Sequence, residues 1–383
     1  MSPSTHSPER FGVLIVGGGV AALEGALALR NLAGERACLT LLAPNPEFVY
    51  RPMTVREPFG YSVAERYPLA HIARSLTIKL IEDSFTWLDK TVRVVHTESG
   101  RQLGYDALML CLGTGARARY EHTITIDDRY LDERLHGLIQ DIEGGYVSRL
   151  AFLAPARMAW PLPLYELALM SAARATDMSI DLAITILTAE KAPLQIFGDG
   201  ASRGVSELLA ERGIEVICSA HCEVPQSGRI VIRPGERALS VDRIVSLPEL
   251  YGPHARGLPV ARNGFIPVDH HCQVRGVPRV YAAGDATDFA IKHGGIAAQQ
   301  ADTAALAIAA LAGAPVQPSP FDPVIQGMLL TGAAPRYLSA RITGGQGYTS
   351  QFTDQPTWSL PTKIAAKYLG PYLEQIGRAG RAD

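Results

Sequence analysis

Short apolar runs recur along the chain, and most are followed by glycines or by a helical pattern. Phe11–Val16 is apolar and rich in β-branched residues, which predicts a fully buried parallel strand. Residues 23–32 then predict a helix, and residues 38–42 and 105–110 predict two further buried strands. Strands that alternate with helices in this way predict the α/β class.

The first predicted strand leads directly into a glycine cluster at residues 17–22. Gly17 would make the tight turn, Gly19 would let a pyrophosphate approach the backbone, and Ala22 would let the helix pack close to the strand. The phosphates would lie on the free N–H groups at the positive end of the helix. The predicted phosphate site consists of Gly17, Gly19, Val20, Ala21 and Ala22.

One part of this dinucleotide-binding pattern is missing. An acidic residue that binds a ribose hydroxyl is expected at the end of the second strand, but Ala43 and Pro44 stand there. A side-chain contact to the ribose would therefore have to come from Asn45 or Glu47.

A second glycine-bearing motif lies far along the chain, where residues 279–283 predict a strand that ends at Gly284-Asp285. An ionised Asp285 could accept hydrogen bonds from the ribityl hydroxyls of a flavin. The helix predicted at 296–311 would point its positive end at the flavin pyrimidine ring and favour the anionic reduced form. Lys292 and His293 are the candidate catalytic residues, which would protonate or polarise a group near the ring. The alternative is that both are solvated surface residues.

The order of these motifs resembles the FAD-dependent pyridine nucleotide-disulfide oxidoreductase superfamily, nearest its sulfide:quinone oxidoreductase and type II NADH dehydrogenase branch. Cys111-Leu112-Gly113 stands where that family ends its middle strand with Ala-Thr-Gly. Residues 45–52 are similar to the stretch beside the ring system, and residues 292–301 to the helix start that faces flavin and quinone. The resemblance covers about 1–118 and 240–330. It implies FAD as the cofactor and adds Asn45, Arg51, Pro52, Gly113, Gly295 and Ile296 to the site.

The resemblance also implies the domain organisation. We expect two Rossmann-like domains, each doubly wound and three-layered. The FAD-binding domain would be discontinuous, at 1–118 and 245–330. Residues 119–244 would form the second domain, with a degenerate nucleotide loop, and 331–383 a C-terminal extension.

The middle of the chain lacks the second nucleotide fingerprint. Strands are predicted at 146–154 and 181–187, with a helix at 164–175 between them, but the turn at 155–163 contains no glycine. Pro161 and Pro163 remove N–H donors, and Trp160 fills space that a dinucleotide needs. Binding of a nicotinamide cofactor in the ordinary mode is therefore doubtful.

Two other features of the middle region have open interpretations. Arg157 could meet a phosphate or simply be solvated. Residues 195–203 carry glycines before a helix predicted at 205–212, and form either an anion site or an ordinary strand-to-helix loop.

The cysteines argue against thiol-based chemistry. Five are scattered along the chain, with none in the turn at 155–163 and none beyond Cys272. Sulfide oxidation in the resembled family needs cysteines flanking the flavin, and the single thiol of Cys111 cannot form a disulfide relay. Cys218 and Cys222 lack a matching second pair for zinc, so a strand end with buried thiols is preferred and no metal site is expected.

Composition excludes several function classes. Of 383 residues, 47% are hydrophobic and 19% charged, which favours a sizeable core. The formal net charge of −2 gives no reason to expect a nucleic-acid partner. No run of 18 apolar residues could span a bilayer, and Met1–Arg10 does not resemble a secretory leader, so we expect a cytoplasmic protein.

The segment at 331–383 leaves two alternatives open. From Thr362 the apolar positions recur with helix-like spacing around Pro371, and Trp358, Lys363 and Lys367 suit a segment that lies on the inner face of the membrane. The alternative is a helix packed on the protein's own body or in a homodimer.

Three functions follow from these observations. The first is an FAD-dependent oxidoreductase that takes electrons from a small-molecule donor and passes them to a quinone-like acceptor. The second is an NAD(P)H-dependent flavoprotein dehydrogenase, and the third is a flavin-binding redox sensor or interaction protein without turnover.

Overall fold

The computed structural model describes residues 10–60, 63–127, 131–156, 160–343, 347–360 and 362–379. Its helices are α1 Val20–Ala33, α2 Leu69–Ser75, α3 Leu131–Glu143, α4 Leu162–Asp177, α5 Gly198–Glu211, α6 Gly294–Leu311 and α7 Leu369–Ala379. Within these ranges no helix has the length and apolar content needed to cross a bilayer.

The strands are short and fall into seven sheets. In the first third of the chain they are β1 Phe11–Val16, β2 Ala37–Ala43, β3 Glu47–Val49, β4 Arg66–Pro68, β5 Lys79–Glu82, β6 Phe85–Asp89, β7 Val94–Thr97, β8 Gln102–Gly104, β9 Ala107–Leu110, β10 Gly115–Arg117 and β11 Ile124–Thr125. The later strands are β12 Arg149–Ala154, β13 Ala183–Thr188, β14 Glu215–Ile217, β15 His221–Gln226, β16 Arg229–Arg233, β17 Arg237–Ser240, β18 Arg243–Ser246, β19 Glu249–Tyr251, β20 Val280–Ala282, β21 Val324–Leu329, β22 Arg336–Thr343 and β23 Gly347–Thr353.

The first parallel sheet has the order β20-β9-β1-β2-β5, so a strand from residues 280–282 completes a sheet begun near residue 11. Side chains of β1 alternate between two cores, as the period of a strand requires. Val13 and Ile15 pack in the core that contains α1 and α6, whereas Leu14 and Val16 pack in the core that contains β6 and β7. The sheet therefore lies between a helical layer and an antiparallel layer.

The second parallel sheet, β11-β18-β12-β13-β14, repeats this arrangement. Leu150 and Phe152 of β12 share a core with α3, α4 and α5, and Ala151 and Leu153 share a core with β16. The predicted α/β class with two Rossmann-like units is confirmed. Because β18 pairs with β11 and β12, we place the boundary after Ser246 instead of at 244/245, which would cut the strand.

Two predicted helix boundaries are wrong. α5 begins at Gly198, so the glycine-bearing stretch at 198–203 lies inside the helix and not in a loop before it. Its glycines bring the helix close to β23, since a Cβ on Gly204 would lie 2.4 Å from the Phe352 ring. Residues 362–368 are not helical, and α7 begins only at Leu369, with Pro371 in its first turn.

The end of the chain packs on the protein's own body. Strands β21, β22 and β23 form an antiparallel sheet against α4 and α5. Leu369 and Leu373 of α7 are buried in the core that contains α1 and α2. The Tyr372 hydroxyl lies 2.6 Å from that of Ser75 in α2. Of the two alternatives for this segment, the observed contacts are those of a helix packed on its own chain.

Candidate functional site

The glycine turn after β1 has the geometry that its sequence predicts. Gly17 has φ +124°, and a Cβ there would lie 2.2 Å from the Cys111 carbonyl oxygen. Gly19 is the exposed N-cap of α1, and a Cβ on it would have nothing within 4 Å. No side chain caps this helix, and its first turn has no acidic residue. The N–H groups of Val20 and Ala21 therefore face a space that an anion can fill.

The second motif lies directly beside this turn. Gly284 has φ +78°, and a Cβ on it would lie 3.2 Å from Ala21 Cβ and 3.3 Å from Ala297 Cβ. The starts of α1 and α6 thus meet at Gly284, although the two motifs are far apart in sequence. This is the convergence that a dinucleotide bound across the carboxyl edge of the sheet requires.

A buried hydrogen-bond network fixes the loop that carries Asp285. The Gln300 Oε1 atom accepts the Gly284 N–H at 2.8 Å, and the Thr287 hydroxyl donates to the Gly284 carbonyl at 3.0 Å. Asp285 itself is half-buried and interacts electrostatically with Lys292. The rigid loop leaves the Asp285 carboxylate at the strand end, where the sequence predicts a cofactor contact.

Lys292 is buried, so its alternative as a solvated surface residue is wrong. Its Nζ donates to the carbonyls of Thr287 at 2.5 Å and Phe289 at 2.6 Å, and it lies 4.0 Å from the Phe265 ring centre. Burial lowers the pKa of Lys292 to about 8, although Asp285 opposes the shift. The ammonium therefore changes charge close to physiological pH.

His293 is also buried, and it is the N-cap of α6. Its Nδ1 accepts the Gly295 N–H at 3.2 Å, and its ring lies 4.1 Å from that of Trp160. Burial lowers the pKa of His293 to about 3, and the charge of Lys363 adds to the shift. A neutral imidazole that caps a helix does not supply a proton at neutral pH. Because the Gly295 N–H already donates a hydrogen bond to His293, the Ile296 N–H is the better candidate to donate one to a cofactor.

Of the remaining predicted residues, Asn45 and Gly113 follow β2 and β9 at the same edge of the sheet. Asn45 is exposed in the turn after β2, and Arg51 and Pro52 begin a 3-10 helix at Arg51–Phe59. Glu47 lies 3.8 Å from Arg66 in an exposed ion pair. Gly113 has φ +70° in the turn after β9, with open space on its Cβ side.

Sequence reasoning missed the part of the site that the end of the chain supplies. Lys363 is buried, with its Nζ 2.7 Å from Oε2 of the fully buried Glu166 in α4. The next residue, Ile364, lies over the start of α6, since a Cβ on Gly294 would be 3.0 Å from its side chain. Lys363 lies close enough to the start of α6 to lower the pKa of His293, although its own charge is balanced by the Glu166 carboxylate. One sequence feature indicates Glu166, which is an acidic residue within an otherwise apolar helix.

The described residues of the middle region do not present an ordinary dinucleotide site. Arg157 and its neighbours at 157–159 lie outside the described residues. α4 begins directly after Pro161, and Pro163 lies in its first turn. Glu190, just beyond β13, would be placed to bind a ribose, but its Oε2 accepts from Tyr165 at 3.0 Å and Thr188 at 3.2 Å. The carboxylate is therefore used inside the protein.

The second sheet nevertheless has an open cavity of about 480 Å³ at the carboxyl ends of β12 and β18. Arg117, Arg119 and Glu249 are among its lining residues. Arg117 is paired with Glu249 at 2.9 Å.

The thiols do not form a reactive centre. Burial raises the pKa of Cys111, that of Cys272 to about 12 and that of Cys222 to about 11. Cys218 and Cys222 are half-buried instead of buried. In the part of the chain that the structure covers, no three His, Cys, Asp or Glu side chains could hold a metal ion together.

Comparisons with known proteins agree with this architecture. A family model for pyridine nucleotide-disulphide oxidoreductases matches residues 166–305. The sulfide-quinone reductase of Aquifex aeolicus is 26% identical over 230 residues, a match that covers 57% of this chain and only 53% of that protein, about half its length. An NADH dehydrogenase-like protein of Mycobacterium tuberculosis is 23% identical over 293 residues, covering 71% of this chain and 72% of the relative.

A solved structure shows the same fold over nearly the whole chain. The sulfide:quinone oxidoreductase of Aquifex aeolicus superposes with a TM-score of 0.79 at 20% identity, covering 90% of this chain and 87% of that one. Together with the glycine turn beside Gly284, these matches show a chain whose residues 166–305 resemble the pyridine nucleotide-disulphide oxidoreductases and which is similar to a sulfide-quinone reductase and an NADH dehydrogenase-like protein.

Proposed function

We propose that this protein is an FAD-dependent oxidoreductase that passes electrons from a donor through the flavin to a quinone or similar acceptor. The observation that carries the proposal is the contact of Gly284 with both Ala21 and Ala297, which brings the two predicted halves of a flavin site together. We propose the discontinuous domain, 1–118 with the stretch from 247 to 330, as the FAD-binding unit.

The residues present fit FAD. The uncapped start of α1 and the open side of Gly19 suit a pyrophosphate. Asp285 would accept hydrogen bonds from the ribityl chain, and Ile296 at the start of α6 would donate to the pyrimidine end of the ring. When bound, the flavin supplies the two-electron chemistry, while the protein supplies position and electrostatics.

The side chains around the start of α6 set the electrostatic environment that a bound ring would meet. His293 holds the helix start by capping it and stays neutral, because its pKa is about 3. Lys292 places positive charge near the same helix end, which favours negative charge on a bound ring. We propose that a flat apolar acceptor, such as the quinone in the name of one relative, enters near Gln299 and the end of the chain. The proposal also includes two alternative partners for the protein surface. One is the inner face of a membrane, and the other is a second copy of the chain in a homodimer.

The second candidate function, an NAD(P)H-dependent dehydrogenase, differs from the first in its electron donor. The open cavity in the second sheet, with Arg119 in its wall, and the NADH dehydrogenase-like relative favour it. Pro161, Pro163 and the inward-facing Glu190 disfavour it, since they remove the phosphate and ribose contacts of the ordinary mode. Sulfide is disfavoured as donor because no cysteine pair flanks the site.

The experiment is an anaerobic absorbance titration of the purified protein with NADH, NADPH and sulfide in turn. A yellow protein whose absorbance near about 450 nm is bleached by a nicotinamide would establish the dehydrogenase. If the protein is yellow and none of the three compounds bleaches it, the proposed function stands and the electron donor is a different compound. A protein that neither contains nor takes up FAD would refute the proposal.

Asp285→Ala should give a folded protein that has lost most of its FAD. The carboxylate is the predicted acceptor for ribityl hydroxyls, and loss of a charge-assisted hydrogen bond costs about 1.5–3 kcal/mol, or roughly ten- to a hundredfold in affinity. The measurement is the FAD:protein ratio after gel filtration, with Asp288→Asn as the control for an exposed acid in the same loop. Full retention of FAD by Asp285→Ala would contradict the site assignment.

Lys292→Met should keep FAD and lower the midpoint potential of the bound flavin. Removal of one cation near the ring at an effective dielectric of about 20 costs on the order of 1 kcal/mol, roughly 20 mV for a two-electron couple. Because the pKa of Lys292 is about 8, the difference from wild type should be full below pH 7 and disappear above pH 9. Spectroelectrochemistry across this range checks it, with the exposed Lys191→Met as control. A difference independent of pH would exclude the charge as its cause.

A further inference from the structure

A buried carboxylate on α1 holds the start of the last helix. Glu24 is completely buried, and its two oxygens accept the backbone N–H groups of Tyr368 at 2.9 Å and Leu369 at 2.5 Å. Leu369 is the first residue of α7, so Glu24 satisfies N–H groups that a helix start leaves without a partner. A negative charge also suits this end of a helix.

A second carboxyl group lies beside the first. Asp302 on α6 is hydrogen-bonded to Glu24, and its Oδ1 is buried without a hydrogen-bond partner in the described structure. Burial raises the pKa of Asp302 to about 8, and the nearby charge of Glu24 adds to the shift. Burial also raises the pKa of Glu24, although the N–H donors and Asp302 oppose the shift. Two adjacent buried carboxyl groups cannot both ionise cheaply, so the pair keeps one proton, on Asp302.

Few other titratable groups among the described residues face this pair. The groups that do so come from the C-terminal segment. They are Lys367, which is exposed and whose charge partly opposes the shift at Asp302, and Tyr368, whose ring lies 4.9 Å from the Lys367 ammonium. The helices that carry the pair, α1 and α6, otherwise meet through small apolar side chains such as Ala26, Ala301 and Ala305.

The segment that Glu24 holds also crosses the start of α6. The Tyr50 hydroxyl accepts the Ile364 N–H at 3.0 Å, and the Ile364 side chain lies against Gly294. Residues 362–379 therefore form one strap, fixed at Tyr50, at Glu166 and at Glu24.

We propose that Glu24 and Asp302 are positioning residues that share one proton to hold the strap at residues 362–379 on α1 and α6, and that loss of this proton loosens the strap at alkaline pH. The proposal goes beyond the proposed function and does not depend on which cofactor the protein binds. Protonated Asp302 donates to Glu24, which leaves the Glu24 carboxylate free to accept from the start of α7. Deprotonation replaces that hydrogen bond with repulsion between two buried anions.

The direction of the pH dependence follows from proton counting. With the strap released, both carboxyl groups meet water and their pKa values return toward about 4. Between about pH 4 and pH 8 the docked state therefore holds one proton more than the released state. Docking is strongest at acid pH and weakens about tenfold per pH unit as pH rises toward 8, after which it becomes constant.

Hydrogen–deuterium exchange of the whole protein tests the proposal at pH 6, 7, 8 and 9, with rates corrected for intrinsic exchange. Protection of the α7 amides should fall about tenfold per unit from pH 6 to 8 and then level off, while α3 serves as an internal reference without such a slope. Asp302→Asn donates to Glu24 without a titrating proton, so its α7 protection should be flat across the range. Asp177→Asn, which removes an exposed carboxylate at the end of α4, should keep the wild-type slope.

Two outcomes would overturn the proposal. The first is a flat wild-type profile for α7, which needs no variant to be observed. The second is an Asp302→Asn protein whose α7 protection falls with pH as steeply as that of wild type. Loss of α7 protection at every pH in Asp302→Asn would equally exclude the proton as the controlling element.

Discussion

Gly19→Val should fold normally and purify without FAD. Gly19 has φ −95° and ψ −169°, a conformation that valine adopts readily, and a Cβ there meets no protein atom within 4 Å. The side chain would instead fill the space in front of α1 where the pyrophosphate is proposed to lie. Loss of two or more charge-assisted hydrogen bonds costs about 3–6 kcal/mol, more than a hundredfold in affinity. Reconstitution with FAD, followed by fluorescence titration, measures the loss.

Two other glycines serve as controls for this result. Gly104→Val in β8 also places its side chain in open space, but away from the glycine turn, and should leave FAD binding unchanged. Gly17→Ala should destabilise the protein itself, because Gly17 has φ +124° and its Cβ would overlap the Cys111 carbonyl. If Gly19→Val binds FAD as tightly as wild type, the phosphates do not lie at the start of α1.

The local motifs could be predicted from sequence because each one is a short strand, a glycine turn and a helix start in succession. The positive φ at Gly17 and Gly284 and the small side chains at Ala21 and Ala297 are requirements of backbone geometry. Such requirements restrict residue type at fixed spacing, so they are visible in one sequence. That the two turns touch is a consequence of strand order, which the resemblance to a known family supplied.

The pairs that hold the end of the chain could not be predicted in the same way. Glu24 with Leu369, and Glu166 with Lys363, each join residues far apart in sequence, and no spacing rule relates them. One partner of each pair can nevertheless be recognised in the sequence. Glu24, Glu166 and Asp302 are acidic residues within helices that are otherwise mostly apolar, and a buried acid requires a partner.

The same contacts explain why the helix predicted from Thr362 begins later. The apolar spacing from Ile364 onward resembles a helix, but Lys363 and Ile364 are held by Glu166 and Tyr50 before α7 begins. Tertiary contacts that satisfy these backbone and side-chain groups outweigh the local helical preference. The first N–H groups of α7 are then capped by Glu24 and not by a residue of its own segment.

Lys363→Met should lower the free energy of unfolding by about 3–5 kcal/mol at neutral pH, because it leaves the fully buried Glu166 without its cation. Glu166 also accepts the Leu330 N–H at 2.9 Å, so it cannot turn toward solvent without breaking that bond. Burial raises the pKa of Glu166, and without Lys363, which opposes this shift, the pKa rises further. The destabilisation should therefore be smallest at acid pH, where Glu166 is protonated, and grow as pH rises from the ordinary carboxyl range toward the raised pKa of Glu166.

The double variant Glu166→Gln/Lys363→Met separates the pair's net contribution from the cost of breaking it. A glutamine oxygen can still accept from Leu330, and neither buried charge remains, so its stability should lie within about 1 kcal/mol of wild type. Position 166 should then contribute no pH dependence of its own. Arg174→Met, which breaks the half-exposed pair with Glu143, should cost less than about 1 kcal/mol. Urea unfolding at pH 5, 7 and 8 measures all three. A single variant as stable as the double one at pH 8 would mean that water reaches Glu166, and that the strap over α6 is open in solution.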